Sequence, residues 1–587
     1  MSKIKIMDES LSNKIAAGEV VEKVANVVKE LVENSIDAES KNIKIELIDS
    51  GLKEIKVTDD GNGMDEIDAE NAFIRHATSK IYKIEDLFFL NTLGFRGEAL
   101  PSIASVSKIE LQTSLGNVGT TITLEGGKII KKEKSEARKG TIIKVKDLFF
   151  NTPARLKYLK SEMTELSYIT YYLERLALSY PNISFYLSNN GKKIIDTTSS
   201  NDLLKTIHEL FGLEISKNMV EINASNDDYD ISGYIAKPTV LKSNRNHIIT
   251  IVNNRIVKNN ELNKTINDAY YTYKPDDKYP IVILKIDTDP TLIDVNIHPT
   301  KQDIKFSKME SLKELVLNTI KNALYTSLLI PKIEIKREDN DNEIPIKKEY
   351  SITNHDLKIN DINLITEEAK EEKPEIIQNS FDFANNDKNQ KIKALELYPC
   401  GLVMGTYIIA QNDNAMYLID QHAAAERINY EKIINSLNEE LVHTTDLLFP
   451  VSVELSPSDY LKFNENAYIL EDLGFVIENF GINTIIVKTH PTWLIHNHEE
   501  ENIRRIIEFI ITIPKEFDKV KFKDSIAKTC ACKMSVKGNT NTTLIEQEKL
   551  LNELVTCDNP YNCPHGRPTI ITFTKYELEK MFKRVMD

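Results

Sequence analysis

The sequence lacks any run of about eighteen apolar residues, the length a membrane-crossing helix needs. Its opening, MSKIKIMDES, also lacks the apolar stretch of a secretory leader. These absences point to a soluble intracellular chain with no membrane partner. Positive charge is in deficit: Lys and Arg total 74 against 89 Asp and Glu, a net charge of -15. That excludes attachment to DNA by bulk charge and leaves local basic patches or binding conditional on partners. Cysteine is scarce, with five residues at 400, 530, 532, 557 and 563. In a reducing compartment such cysteines are metal ligands or buried thiols rather than a disulfide framework. The glycine-lysine loop of P-loop enzymes is missing, so a bound nucleotide would be held another way.

What is present is a mixture that folds. The 587 residues are 41% hydrophobic and 28% charged, enough for several cores. In KIAAGEVVEKVANVVKELVENSIDA, Val20, Val24, Val27, Val28 and Leu31 recur at helical spacing. In NIKIELIDSGLKEIKVTDDG, Ile43, Ile45, Leu47, Ile55 and Val57 alternate about a turn near Ser50 and Gly51, which predicts an antiparallel hairpin. Helical and strand patterns alternate to about residue 330. The stretch from Arg337 to about Leu395 is polar and aperiodic and reads as a disordered linker. Apolar alternation resumes near Leu397. The expected architecture is two folded regions on a flexible tether.

Two constellations carry chemistry. In the first, Glu30, Asn34 and Asp37 share one helix face. A carboxylate there can take a proton from water, and an amide oxygen can hold magnesium; a solvated polar stripe has the same spacing. Gly61 and Gly63 in DDGNGM end a strand and allow close backbone approach. Gly94 and Gly97 flank Arg96 in GFRGEAL, a loop whose amides and guanidinium can cover a polyphosphate. KELVENSIDA, DDGNGM, ATSK, GFRGEAL and GTIIKVKDLFFNTPAR occur in that order, and this set resembles the GHKL ATPases. AAGEVVEKVANVVKELVENSIDA with GFRGEAL and FFNTPAR resembles the MutL branch of that family, over residues 1 to about 330.

The resemblance implies an α/β fold of α+β type. A GHKL ATPase sandwich at 1–210 is followed by a transducer-like α/β subdomain at 211–335, the linker at 336–395 and a C-terminal dimerisation and endonuclease domain at 396–587. It implies ATP and Mg2+ as cofactors, with Glu30 as general base and Asn34 on the magnesium beside Asp37. Asp59 would accept from the adenine amino group, with Thr141 nearby. Gly63, Thr78, Ser79, Lys80, Gly94, Phe95, Arg96, Gly97 and Glu98 would cover the phosphates, and Lys301 would reach the terminal one. A nucleotide-gated lid would drive dimerisation, with slow turnover suited to a timer. One departure is Lys23-Val24, where the family carries proline.

The second constellation is DQHAAAERINYE, Asp420 to Glu431. A helix stacks His422 and Glu426, with Asp420 at its start, a mixed oxygen and nitrogen set suited to zinc or manganese. A wet helix face has the same pattern. Together with ACK (Cys532) and CPHGRP (Cys563, His565), the run resembles the metal segments of endonuclease-type MutL proteins. That likeness implies a two-metal centre with Asp420, His422, Glu426, Cys532, Cys563 and His565 as ligands. Asp420 would be the residue most needed for cleavage, with Zn2+ structural or regulatory and Mn2+ catalytic. Glu431 would support the helix, and Cys530 and Cys557 would lie in the core or beside the site. TTDLLFPV aligns with a sliding-clamp peptide whose usual Gln is Thr445, or else is an internal strand. The implied partners are DNA, a MutS-type mismatch-recognition protein, the clamp and a second copy of the chain, in a bacterial cytoplasm at the nucleoid. The rivals are a non-cleaving ATP-driven matchmaker and a GHKL chaperone or topoisomerase subunit.

Overall fold

The valines that repeat every third and fourth residue bury one side of helix α1 (Val24–Asp37): Val24, Val27, Val28, Leu31 and Val32 are almost wholly excluded from solvent. Each such side chain contributes roughly 2 kcal/mol of gross burial. The helix starts where Lys23 is extended, and the Lys23 ammonium lies 4.9 Å over the Tyr168 ring. The computed structural model describes residues 21–80, 83, 92–94, 97–157, 159–275, 278–294, 304–329, 396–439, 442–494, 499–513, 519–534, 541–582 and 584. At 294, 327–329, 519, 521 and 532–534 only the backbone is described. Val20, Phe95, Arg96, Lys301 and the expected linker at 336–395 therefore lie outside the described residues.

The predicted hairpin is present: β1 (Asn42–Ile48) pairs antiparallel with β2 (Glu54–Asp59), placing Ile45 opposite Val57. It sits inside an eight-stranded sheet with β3 (Lys108–Ser114), β4 (Gly119–Glu125), β5 (Lys128–Ser135), β6 (Gly140–Lys146), β7 (Ser184–Asn189) and β8 (Lys192–Asp196). The strand order is β5-β4-β3-β6-β2-β1-β7-β8. Helices α1 and α2 (Glu162–Ser179) share the sheet's apolar core. After α3 (Leu203–Lys217) comes a second sheet of β9 (Met219–Ser225), β10 (Tyr229–Ala236), β11 (Ile248–Val252), β12 (Arg255–Val257) and β13 (Val282–Thr288), in the order β12-β11-β13-β10-β9. One face packs Val252 and Leu284 against α4 (Asn260–Ala269) and α5 (Met309–Leu329), while Ile249, Ile251 and Ile283 face the first core. The C-terminal part holds a four-stranded and a three-stranded sheet. The first is β14 (Tyr398–Val403), β15 (Tyr407–Gln411), β16 (Ala415–Asp420) and β20 (Ile570–Thr574); the second is β17 (Thr444–Glu454), β18 (Val476–Asn479) and β19 (Thr484–Pro491). The expected mixed α/β class is thus observed.

Residues of 1–330 and of 397–587 pack as one compact unit, where the sequence reading expects separate regions on a tether. A buried ionic cluster explains the packing. The Ser458 N–H and hydroxyl, in the first turn of α7 (Pro457–Asn466), donate to the two Glu174 carboxylate oxygens at 2.7 and 2.8 Å. His247 Nε2 lies 3.4 Å from Asp459 Oδ2, Lys462 is 3.7 Å from Oδ1, and the Arg175 guanidinium lies over the Tyr171 ring. Burial pushes Glu174 up to about 7 and His247 down to about 4. A raised carboxyl loses stability as pH climbs from its ordinary 4.5 to about 7; a lowered imidazole loses stability as pH falls from 6.5 to about 4. The two slopes oppose each other, and Asp459, held low, adds its own loss only below the ordinary carboxylate range. Together these two groups therefore add little net pH dependence to stability between pH 4.5 and 6.5. Relative to wild type, denaturant titrations across this window should show Glu174→Gln losing stability on acidification and His247→Gln gaining it, each by roughly 3 kcal/mol at most.

Candidate functional site

Helix α1 presents Glu30, Asn34 and Asp37 opposite its valine stripe, as the spacing requires. Glu30 and Asn34 are half-buried. The Asp37 carboxylate is a hub: it accepts from the Leu93 and Gly94 N–H groups at 3.0 and 3.1 Å and from the Lys80 ammonium at 2.6 Å. The same ammonium donates to Asn34 Oδ1 at 3.1 Å. These two oxygens therefore already favour a cation, and they are donors of the hard kind that magnesium takes.

Asp59 ends β2 and is 5% exposed. Its Oδ1 accepts from the Gly61 and Thr141 N–H groups at 3.0 and 3.1 Å, and its Oδ2 from the Ser35 hydroxyl at 2.8 Å. Burial raises its carboxyl above the ordinary range against the pull of these bonds. Of about four acceptor sites on a carboxylate, one remains for a further donor. The Thr141 hydroxyl lies 3.1 Å from that of Thr113. Gly63 has φ +72°, and a Cβ there would stand 2.0 Å from the Ser114 carbonyl oxygen. Gly97 has φ +61°, and its carbonyl accepts from His76 N–H at 3.0 Å. Thr78 Oγ1 accepts from Lys80 N–H at 3.2 Å, Ser79 is exposed, and Glu98 pairs with His76 at 3.4 Å. Asn34, Asp37, Lys80 and Gly94 are thus gathered at the C-terminal end of α1, with Glu30 one turn back along the helix. Asp59, Gly63 and Thr141 sit beside it.

In the C-terminal part, β16 delivers Asp420 to the start of helix α6 (Gln421–Asn438) within the unit formed with α9 (Lys519–Met534) and α10 (Leu544–Val555). Asp420 Oδ1 caps that helix, accepting from the His422 and Ala423 N–H groups at 2.9 and 3.1 Å. One turn on, the buried Glu426 carboxylate stands between two imidazoles: His422 Nε2 at 3.4 Å from Oε1 and His565 Nδ1 at 3.3 Å from Oε2. Cys563 is 2% exposed, and ligand atoms of Glu426, Cys563 and His565 all lie within 4.8 Å of one another. A buried carboxylate flanked by two imidazoles and a thiol is a donor set that a cation would complete. Sulfur, nitrogen and oxygen donors together fit zinc. Asp420 stands outside that group of three, and the Cys532 side chain lies outside the described residues although its backbone is on α9. Burial pushes the Cys530 and Cys557 thiols up to about 12, which keeps them protonated and leaves them to packing. Cys400 is exposed.

Comparisons with known proteins agree along the whole chain. Residues 22–152 match the family described as histidine kinase-, DNA gyrase B-, and HSP90-like ATPase. Residues 207–325 match the DNA mismatch repair protein, C-terminal domain, and 400–542 match the MutL C terminal dimerisation domain. A DNA mismatch repair protein MutL of Listeria welshimeri is 43% identical over 600 residues, covering 99% of both chains. The chain belongs to the MutL family. A MutL of Shouchella clausii is 40% identical over 656 residues, covering 100% of both. The solved Aquifex aeolicus MutL ATPase domain complexed with ADP is 25% identical, covers 51% of this chain and 98% of its own, and has a TM-score of 0.37.

As a MutL, the protein carries a GHKL-type ATPase domain, a mismatch repair domain and a C-terminal dimerisation domain. No described helix is long and apolar enough to cross a membrane. Two further residues of α6 reach the loop that carries Cys563 and His565. Glu431, expected to support its helix, lies 3.5 Å from Arg427 one turn back and also accepts from the Asp558 and Asn559 N–H groups at 2.7 and 3.2 Å. Arg427 Nε donates to the Asn562 carbonyl at 2.6 Å. Both clamp the loop that delivers Cys563 and His565. Their loop partners lie over a hundred positions away, so no local spacing announces these contacts.

Proposed function

We propose that this MutL-family chain is an ATP-gated homodimer that couples mispair recognition to repair and nicks the error-containing DNA strand at a C-terminal metal centre. The observation that carries the reading is the convergence of Glu426, Cys563 and His565, with His422 on the far oxygen of Glu426. A matchmaker that never cuts has no need of such a buried donor set. The ligands are Glu426, Cys563, His565 and His422, joined by Asp420 and Cys532, with zinc on the sulfur side and manganese for cleavage. When bound, the ions supply Lewis acidity toward a phosphodiester and a leaving oxygen. Arg427 and Glu431 hold the ligand loop in place, and Asp420 fixes the start of the ligand helix.

In the N-terminal site, Glu30 takes a proton from the water that attacks the terminal phosphorus of ATP, and ADP leaves as the phosphoanhydride bond breaks. Asn34 and Asp37 flank the magnesium position. The remaining acceptor site of Asp59, beside Thr141, meets the adenine amino group. Gly63, Thr78, Ser79, Lys80 and the 94–98 segment with Phe95 and Arg96 cover the phosphates, and Lys301 reaches the last of them. A MutS-type protein recruits the dimer to a mispair at the nucleoid. The test is incubation of the full chain with supercoiled plasmid, manganese, ATP and a loaded sliding clamp. Nicked circles are expected; intact plasmid under every condition leaves the matchmaker.

The clamp contact is supported by a local departure from the β ladder. Strand β17 pairs with β19 up to Asp446 and again from Val451, and the register shifts between them. Leu448 and Phe449 stand 88% and 79% exposed in that interval, while Leu447 packs against the core. Two adjacent large apolar side chains held out of the ladder in this way are open to a partner. Leu448→Ala with Phe449→Ala is expected to weaken clamp binding by about tenfold or more in a biosensor titration. Thr445→Gln should strengthen it; unchanged affinity in both variants would place the clamp contact elsewhere.

A further inference from the structure

The β11–β12 hairpin turns at Asn253 and Asn254, with φ +46° and +63°, a two-residue turn that asparagine tolerates. Its tip is pinned on two sides. Asn253 exchanges side-chain hydrogen bonds with Thr288, donating to the carbonyl at 2.9 Å and accepting from the N–H at 3.0 Å. The Ser179 hydroxyl, at the end of α2, donates to the Asn254 carbonyl at 2.7 Å. The next residue, Arg255, thus leaves a rigid base in the second sheet and enters the ATPase layer. It is 9% exposed, and its Nη2 donates to the Thr92 carbonyl at 2.5 Å. Thr92 immediately precedes Leu93 and Gly94, the two residues whose N–H groups are held by Asp37. The guanidinium also faces the Glu33 and Asp37 carboxylates and the Tyr180 phenol. Glu33, in turn, accepts from the Tyr172 hydroxyl at 2.6 Å and lies 3.8 Å from Lys29.

We infer that Arg255 is a positioning residue for ATP turnover: from the second sheet it holds Thr92–Gly94 over Asp37, so that this backbone is set to meet the nucleotide's phosphates. A charge-assisted bond to a half-buried carbonyl is among the strong ones, and a planar guanidinium makes it while facing the two carboxylates of α1. The inference rests on the reading of α1 and Gly94 as the nucleotide site.

The test uses the full chain with Arg255→Ala and Arg255→Lys. Loss of one such bond is expected to raise the KM for ATP by about tenfold with a smaller change in kcat, and to speed amide exchange at Leu93 and Gly94 by about tenfold without nucleotide. Exchange in the 248–257 hairpin should hold, and Arg255→Lys should recover part of the KM because it keeps the charge. If wild type turns over ATP while Arg255→Ala shows the same KM and the same exchange, the inference is overturned alone. A broad loss of protection that Arg255→Lys does not relieve also overturns it, in favour of a structural role. A wild type that neither binds nor hydrolyses ATP overturns the nucleotide-site reading and this inference with it.

Discussion

Glu426→Gln is expected to abolish plasmid nicking while leaving ATP hydrolysis at the wild-type rate. The substitution keeps shape, so the core around α6 should survive it. It removes the one charge that sits between His422 and His565, and it turns an acceptor oxygen into a donor aimed at an imidazole nitrogen. Loss of a ligand in a buried site costs more than loss of a supporting hydrogen bond, which already lowers metal affinity or activity by about 10- to 100-fold. A fall in nicking rate of at least about 100-fold is therefore expected. Asp420→Asn should fall comparably, because its carboxylate stands at the start of the same helix. The measurement is the appearance of nicked circles with manganese, run beside an ATPase assay on the same preparations. Nicking by Glu426→Gln at the wild-type rate would move the chemistry away from this cluster.

Glu30→Ala is expected to separate binding from turnover at the other site. Glu30 is one helical turn from Asn34, on the face that also carries Asp37. Removal of a general base lowers turnover by about 10²- to 10⁴-fold. Nucleotide binding should persist, because Asp59, Gly63 and the Asp37-held Gly94 remain in place. The variant should therefore accumulate in its nucleotide-bound, N-terminally dimerised form, seen as a larger species by light scattering with ATP. Hydrolysis retained at the wild-type rate would assign the base to another residue.

These expectations draw unequally on sequence and structure. Helix α1 and its hairpin were legible because their periods of 3.6 and 2 survive in a chain that buries one face of each. The likeness to a known set led to the expectation that Asp420, His422, Glu426, Cys532, Cys563 and His565 lie together; the structure gathers Glu426, Cys563 and His565, with His422 on Glu426, and leaves Asp420 outside that group. Asp37 was readable as a polar neighbour of Asn34, but not as the acceptor that fixes Leu93 and Gly94, since that bond spans 56 positions. Glu174 and Arg175 look like a wet patch on a helix; only the packing of α7 shows them buried. The 444–451 stretch reads equally well as strand and as exposed peptide, and the register shift after Asp446 shows that it is both. In each case the missing information is a long-range partner, which no local period encodes.

The account turns on whether Glu426, Cys563 and His565 share one divalent ion. Zinc-edge X-ray absorption on the purified full chain measures this most directly. The prediction is bound zinc with at least one sulfur neighbour near about 2.3 Å and nitrogen or oxygen neighbours near about 2.0–2.1 Å, with the sulfur contribution reduced in Cys563→Ser. Zinc surrounded by oxygen alone, or an identical spectrum and full occupancy in Cys563→Ser, would contradict it.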